Sequence, residues 1–301
     1  MGKTVRETIK AITRKHLLGG SKCYGQCLTA VGWVGGTLPE MYEEDGMVEL
    51  SMADVSGGGI VVGAALAGER PIYVVRYQGF QWYNSPIIAN YAMKSKEIWQ
   101  RPCPLMVRSI AMEGGMGPVA GSSHHSIYQR MPGAKIISPM TPKEYEYAYD
   151  SFMKDDDVYY ISEHRGSYDN DLEMTNTIHK KADLTLFPIS ITRFAAEKAK
   201  QEMEKIGLKI NVIHQLWIKP FVFGEDWSTA LNNSKYGGII LDDDYEEGVA
   251  SSIAHTMMMK SNKKVRTLCL EHRTAGFHPN VDNLPPDKTT IIRKIKECCG
   301  V

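Results

Sequence analysis

The stretch Ala53–Gly68, ADVSGGGIVVGAALAG, is the one from which the rest of the chain can be read. A single carboxylate, Asp54, stands near its start. Gly57, Gly58 and Gly59 follow, and then a run of small and apolar residues from Ile60 to Ala67. Glycine allows two backbones to approach closely and tolerates positive φ. The run therefore predicts a buried helix, Gly59–Ala67, set tightly against a sheet or a partner helix. A charge at the mouth of such a helix is costly unless it is partnered. Two readings of Asp54 are open. It is a helix N-cap, a position that favours aspartate, or it is a carboxylate placed to touch a cofactor.

Composition narrows the surroundings of this stretch. With 301 residues the chain can form two ordinary domains or one large one. Basic and acidic residues balance at 35 each, so no global field draws nucleic acid or an anionic membrane surface. No apolar run is long enough to span a bilayer. The opening MGKTVRETIK is charged and helical, without a signal-peptide core. The six cysteines include no CxxC pair, and Cys23 and Cys27 lack a second ligand pair for zinc. These features predict reduced thiols and a cytoplasmic location, with no nucleic-acid or membrane partner.

Outward from the glycine stretch, strands and helices alternate. Thr4–Leu18 has apolar positions near helical spacing and ends at Gly19-Gly20. Residues 23–36 read as a strand and a close-approaching loop, and residues 71–77 as a strand rich in β-branched and aromatic residues. A helix is expected over 86–96 with Pro86 in its first turn, then strands over 104–110, 134–138 and 158–162. The glycine-rich segment 113–123 reads as a loop, and a helix is expected from Pro142 to Met153. From Gly166 to Leu184 the pattern is lost. A second unit follows, with strands over 187–191, 209–213, 238–241 and 265–270 and helices over 192–206, 247–259 and 289–296. The alternation predicts an α/β fold of two domains with mainly parallel sheets, residues 1–183 and 184–301.

A second segment able to carry chemistry is Gly114–Gly133, GGMGPVAGSSHHSIYQRMPG. Its adjacent His124 and His125 can shuttle protons or bind substrate oxygens, or they belong to an ordinary surface loop. Adjacent histidines rarely share one metal. The segment has neither GxGxxG nor GxxxxGK[ST]. Asp242–Asp244, read as following a strand, is either a magnesium site at a sheet's carboxyl end or an acidic turn. His278 precedes a proline and is expected at the surface.

Taken together, these segments resemble the beta subunits of thiamine-diphosphate-dependent 2-oxoacid dehydrogenases, relatives of transketolase and deoxyxylulose-phosphate synthase. TVRETI resembles the family's opening helix. SMADVSGGGIVVGAALAG resembles an acidic residue followed by GxAxGAAxAG. RPIYVV through IIANYAMK, including Asn90 and Lys94, resembles the next strand and helix. GSSHHS is similar to the histidine loop, MPGAKIISPMTPKEY to a PGLKVVxPxxxxDA segment, and HQLWIKPF to an INLRTIRP strand. The resemblance covers nearly the whole chain.

It implies a pyrimidine-binding domain followed by a transketolase C-terminal-like domain. It also implies thiamine diphosphate as cofactor, activated by a carboxylate that hydrogen-bonds a pyrimidine nitrogen. Asp54 falls at that position, where the family carries glutamate, so either the loop closes in or a water bridges. Gln26 stands where many relatives have a glutamate. Gln78 falls near the aromatic that stacks on the pyrimidine, with Tyr77 and Phe80 as neighbouring substitutes. His125, followed by Ser126, matches the family histidine, with His124 beside it. The GDG and NN segments that hold the diphosphate and Mg2+ have no counterpart; Asn232-Asn233 reads as a helix-end turn. The chain therefore resembles half of an active site, holds no metal itself, and requires an alpha-type subunit carrying the diphosphate-binding domain and most of the Mg2+ ligation. A homodimer within a heterotetramer, acting on a 2-oxoacid or a ketose, is the implied assembly. The alternatives are a transketolase-like C-terminal subunit that transfers a ketol unit between sugars, and a non-catalytic assembly or regulatory subunit that retains the fold.

Overall fold

The computed structural model describes residues 2–29, 34–112, 121, 123–274 and 283–301. Most of the 113–123 loop and His278 lie outside the described residues. The chain divides into two compact units, one reaching Met112 and resuming over Ser123–Glu173, the other including Met174–Val301.

The first unit opens with α1 (Val5–Leu18), whose N-terminus is closed by a capping box between Thr4 and Glu7. Strands β1 (Cys23–Gly25), β2 (Met47–Glu49), β3 (Ile72–Val75), β4 (Leu105–Ala111), β5 (Ala134–Ile137) and β6 (Val158–His164) follow. They lie in the order β2-β1-β3-β4-β6-β5, and every pairing is parallel. Helices α2 (Asp54–Leu66), α3 (Gln81–Ile87), α4 (Met93–Trp99) and α5 (Pro142–Phe152) connect them. Successive strand residues face opposite sides. Ile72, Met106, Arg108 and Ile161 share a cavity wall with residues of α1 and α5. Tyr73 and Ser109, one position along, reach Asn84 and Gln81 of α3 instead. The sheet is thus covered on both faces, which explains strands buried along their whole length.

A buried ion pair crosses this sheet. Arg108 on β4 donates from Nε and Nη2 to both carboxylate oxygens of Glu163 on β6, at 3.0 and 2.9 Å, and Tyr168 adds its hydroxyl to Glu163. Both partners are almost fully excluded from solvent.

The second unit contains β7 (Leu184–Pro188), α6 (Thr192–Lys205), β8 (Ile210–Val212), β9 (Trp217–Lys219), α7 (Glu225–Asn232), β10 (Gly238–Tyr245), α8 (Val249–Ser261), β11 (Val265–Leu270) and α9 (Lys288–Cys299). Its four-stranded sheet has the order β11-β10-β7-β8, again parallel. Leu184, Leu186, Ile239 and Leu241 pack against Ala196, Ala199 and Met203 of α6 and Ile291 and Ile295 of α9. The mainly parallel two-sheet α/β fold expected from the sequence is the one observed.

Several local expectations are corrected. Helix α2 begins at Asp54, not Gly59, because packing of Gly57 against Tyr73 of β3 and of Gly58 against Asn84 of α3 carries these two glycines into the helix despite their poor propensity. Only part of it is buried: Gly59, Ile60 and Gly63 face outward. Pro86 lies inside α3 and not at a helix start. It has no N–H for the carbonyl one turn back, and the chain continues through a π turn, Ile88–Ala92, into α4. Strand β7 precedes its expected place and ends at Pro188, and Ser190 then takes a left-handed conformation, φ 52°. Asp242–Asp244 lie within β10 and are buried. Asn232-Asn233 is the helix-end turn expected, with Asn233 at the C-cap of α7.

Candidate functional site

The residues singled out in the first unit gather at the carboxyl edge of its parallel sheet. In open α/β sheets that edge is where ligands bind. Gln26 is the first residue past β1, the run Arg76–Phe80 follows β3, and the loop after β2 leads to Asp54.

Asp54 is not the helix cap. Ala53 holds that position, and no side chain caps the helix. As the first helical residue, Asp54 projects its carboxylate to Gln26, whose Nε2 donates to Oδ1 at 3.2 Å. The side chain is half-buried. Burial raises its pKa, and its own backbone N–H, the Gln26 amide and the Arg76 charge only partly offset this. A carboxyl held in this way retains a proton more readily than a surface aspartate. Beneath it, Tyr73 is kept protonated by burial and then by the Asp54 charge. A Cβ on Gly57 would come within 3.1 Å of the Tyr73 hydroxyl, so glycine is what lets α2 lie this close to β3.

The turn presenting Gln26 is held by Glu49, at the end of β2. Its carboxylate accepts the N–H of Leu28 at 2.9 Å, that of Thr29 at 3.2 Å, and that of Cys27. Cys27 is left-handed at φ 56°. Successive N–H groups converging on one anion stabilise a conformation that a cysteine would otherwise avoid.

Past β3, the rings of Tyr77 and Phe80 lie 5.8 Å apart at 44°, and Phe80 and Tyr83 6.5 Å apart at 42°. Tyr77 and Phe80 are half-buried and Tyr83 is exposed. Gln78 differs from its neighbours in being fully buried. Its Nε2 donates to Ser109 O at 3.2 Å and Ser162 Oγ at 3.0 Å, and its Oε1 accepts the His124 N–H at 2.6 Å. It braces the histidine loop to β4 and β6, while the two flanking rings reach the surface. His125 is also buried, with Nδ1 3.1 Å from the same Ser162 Oγ. His124 is half-buried and meets the edge of exposed Trp82, with centroids 6.0 Å apart at 75°.

The sequence reading passed over Glu49, Ser162, Trp82, Arg76 and Arg165. Arg76 carried a signal, since it stands directly after the β-forming run Ile72–Val75. The others are identified only by what they touch.

The doubly covered parallel sheet thus carries a half-buried carboxyl, an aromatic train and paired histidines at its carboxyl edge, the edge at which open α/β sheets bind ligands. Residues 33–170 match the family described as Transketolase, pyrimidine binding domain. Those residues carry that domain, and the chain is similar to proteins that are beta subunits of dehydrogenases and of an oxidoreductase. It is 26% identical to the 2-oxoisovalerate dehydrogenase subunit beta of Bacillus subtilis over 72% of this chain and 71% of that protein. It is 20% identical to the acetoin:2,6-dichlorophenolindophenol oxidoreductase subunit beta of Cupriavidus necator over 90% and 85%. It is 21% identical to the pyruvate dehydrogenase E1 component subunit beta of Rickettsia felis over 98% of each chain. Among solved structures, a split-gene transketolase in an inactive beta4 tetramer superposes with a TM-score of 0.72 at 13% identity, covering 100% of this chain and 99% of that one. The transketolase of Campylobacter jejuni superposes with a TM-score of 0.74 at 14% identity, covering 98% of this chain and 47% of that one. At these identities the two structures establish the fold.

Proposed function

We propose that the chain is the beta-type subunit of a two-chain thiamine-diphosphate enzyme acting on a 2-oxoacid, with Asp54 as the carboxyl that activates the cofactor. One observation carries the reading: a half-buried carboxyl with a raised pKa, bonded by Gln26, at the entrance of a glycine helix on the carboxyl edge of a parallel sheet. The chain is suited to the pyrimidine end of the cofactor. Asp54 can share a proton with a ring nitrogen, Gln26 fixes Oδ1, and Tyr77 and Phe80 offer aromatic faces. No GDG segment is present for the diphosphate. We therefore assign that end, with Mg2+, to an alpha-type partner subunit. Bound thiamine diphosphate supplies the electron sink for cleaving the bond next to a carbonyl.

The rest of the site follows from this chain's own groups. A carboxyl that is easily protonated holds a proton at Oδ for transfer to a nitrogen, and geometry governs the step. Gln78 holds the His124 backbone by a hydrogen bond to its N–H. His124, less buried than His125, is placed to meet substrate oxygens; His125 sets the loop through Ser162. Similarity to three beta subunits, over 72%, 90% and 98% of this chain, favours the 2-oxoacid reading. A ketol-transferring, transketolase-like subunit is the second reading, favoured by the fold of the split-gene transketolase. We assign residues 1–183 to the pyrimidine-binding domain and 184–301 to the C-terminal-like domain. The six free cysteines accord with a cytoplasmic location, and no helix among the described residues is long and apolar enough to cross a membrane.

The test is hydrogen–deuterium exchange at the thiazolium carbon in the enzyme assembled with its partner. Asp54→Asn keeps the shape and the Gln26 contact but loses the proton, so exchange is expected to slow by about 10²- to 10⁴-fold. Cofactor affinity, held mainly by the partner, should change much less. Wild-type exchange in Asp54→Asn would refute the role and leave the chain as a non-catalytic assembly subunit.

A further inference from the structure

We infer that a cavity between α1 and α5 is a binding site for a free α-amino acid with an apolar side chain. The cavity measures about 220 Å³ and lies on the sheet face opposite α3; none of its lining residues belongs to the group around Asp54. It is far larger than the roughly 10–15 Å³ that a single water needs. It is also smaller than the roughly 300–1,000 Å³ of pockets that take drug-sized ligands. Its occupant is therefore a small metabolite.

The two walls differ in charge. Lys3, just before α1, and Lys15, in its last turn, stand on one side; Glu146 and Asp150, one turn apart on α5, stand on the other. None of the four enters an ion pair among the described residues, so opposite charges line one cavity without pairing. Glu7, on which the Lys3 charge acts, is engaged in the capping box with Thr4. The surface between the charges is apolar and firmly held. Lys15 Nζ lies 5.8 Å from the centroid of the Tyr149 ring, and the Tyr149 hydroxyl is 3.1 Å from His16 Nδ1. Ile12 lines the cavity beside that ring. Thr8 lines it as well; it is 2% exposed, and its hydroxyl has no hydrogen-bond partner among the described residues. A buried hydroxyl without a partner is costly, and a polar ligand in the cavity is placed to supply one. A zwitterion answers the arrangement: its ammonium goes to Glu146 and Asp150, its carboxylate to Lys15, and its side chain over Ile12. A ligand of single charge serves one wall and desolvates the other without compensation.

The test uses the full chain without any thiamine compound, so its outcome is separate from that of cofactor activation. Isothermal titration with L-leucine should give saturable binding to one site. N-acetyl-L-leucine, which lacks the ammonium, and L-leucinamide, which lacks the carboxylate, should each bind about tenfold more weakly or worse. Lys15→Gln and Asp150→Asn should each lose about tenfold in affinity for leucine. Both positions are exposed, so these variants are expected to fold, and circular dichroism checks it. Thr8→Val removes the unpartnered hydroxyl; it should raise the Tm of the free chain while weakening leucine binding. Absence of saturable leucine binding at millimolar concentration, equal binding of the two capped analogues, or unchanged affinity in the variants overturns the proposal.

Discussion

Helix α2 provides a test that separates packing within the chain from packing between chains. Its glycines fall into two sets. An added Cβ on Gly58 would sit 3.0 Å from Asn84 Cβ and 3.4 Å from Asn84 O, whereas one on Gly59 or Gly63 would meet nothing within 4 Å. Replacing an interior helical glycine by alanine gains about 1 kcal/mol of helix propensity. The double variant Gly59→Ala/Gly63→Ala should therefore stabilise the isolated chain by about 2 kcal/mol, a rise in Tm of roughly 4–8 °C for a unit of this size. At Gly58 the same gain is outweighed by the crowding, which typically costs about 1–3 kcal/mol. Gly58→Ala should be neutral or destabilising by up to about 2 kcal/mol.

The outward face of α2 carries Val55 and Ile60 beside these bare glycines, and Trp82, Tyr83, Tyr91, Ile98 and Trp99 of the following helices are also exposed. This is the surface we assign to self-association in the proposed homodimer. The two methyls that stabilise the monomer should weaken self-association there, by about tenfold or more if close helix approach supplies the contact. Urea unfolding at dilute concentration and sedimentation equilibrium read the two effects separately. A double variant less stable than wild type in the dilute monomer would show that the face is not open within the chain. Unchanged self-association would show that it is not the contact.

Other consequences are more local. Glu163→Gln leaves Arg108 buried without its counter-charge, and should destabilise the chain by about 3–5 kcal/mol in urea titration; a loss below about 1 kcal/mol would contradict the pairing. His16 is buried at the end of α1, and burial lowers its pKa to about 4. The unfolded chain takes up this proton near pH 6.5 while the folded chain resists until about pH 4. Stability from this group is therefore complete above pH 6.5 and lost between those values, by on the order of 3 kcal/mol. Thermal melts of His16→Gln should show a shallower decline than wild type over that window, and parallel curves would remove His16 as the cause. Glu49→Gln withdraws the anion that organises Cys27–Thr29 and should reduce thiazolium-carbon exchange in the assembled enzyme through Gln26, with little change in cofactor affinity.

Much of the fold is written in local pattern. The capping box at Thr4 and Glu7 marks the start of α1, and the β-branched and aromatic runs around Ile72–Val75 and Val265–Leu270 mark strands. These signals are legible because propensity and periodicity act over a few residues. The glycine stretch was enough to single out Asp54, and the two histidines marked the loop that Gln78 holds. Long-range contacts settled the rest. Spacing could not tell whether Asp54 caps α2 or begins it, because the answer depends on how closely Gly57 lets the helix approach Tyr73. Gln78, Tyr77 and Phe80 are three near neighbours in sequence, yet one is a buried brace and two are open rings, because Ser109 and Ser162 arrive from strands far along the chain. Arg76 and Arg165 are separated by most of the first unit and meet at Tyr77 only because β3 and β6 flank β4. Sequence by itself determined the elements and the carboxylate; which side chains share the edge of the sheet was decided by strand order, a property of the folded chain that no local pattern encodes.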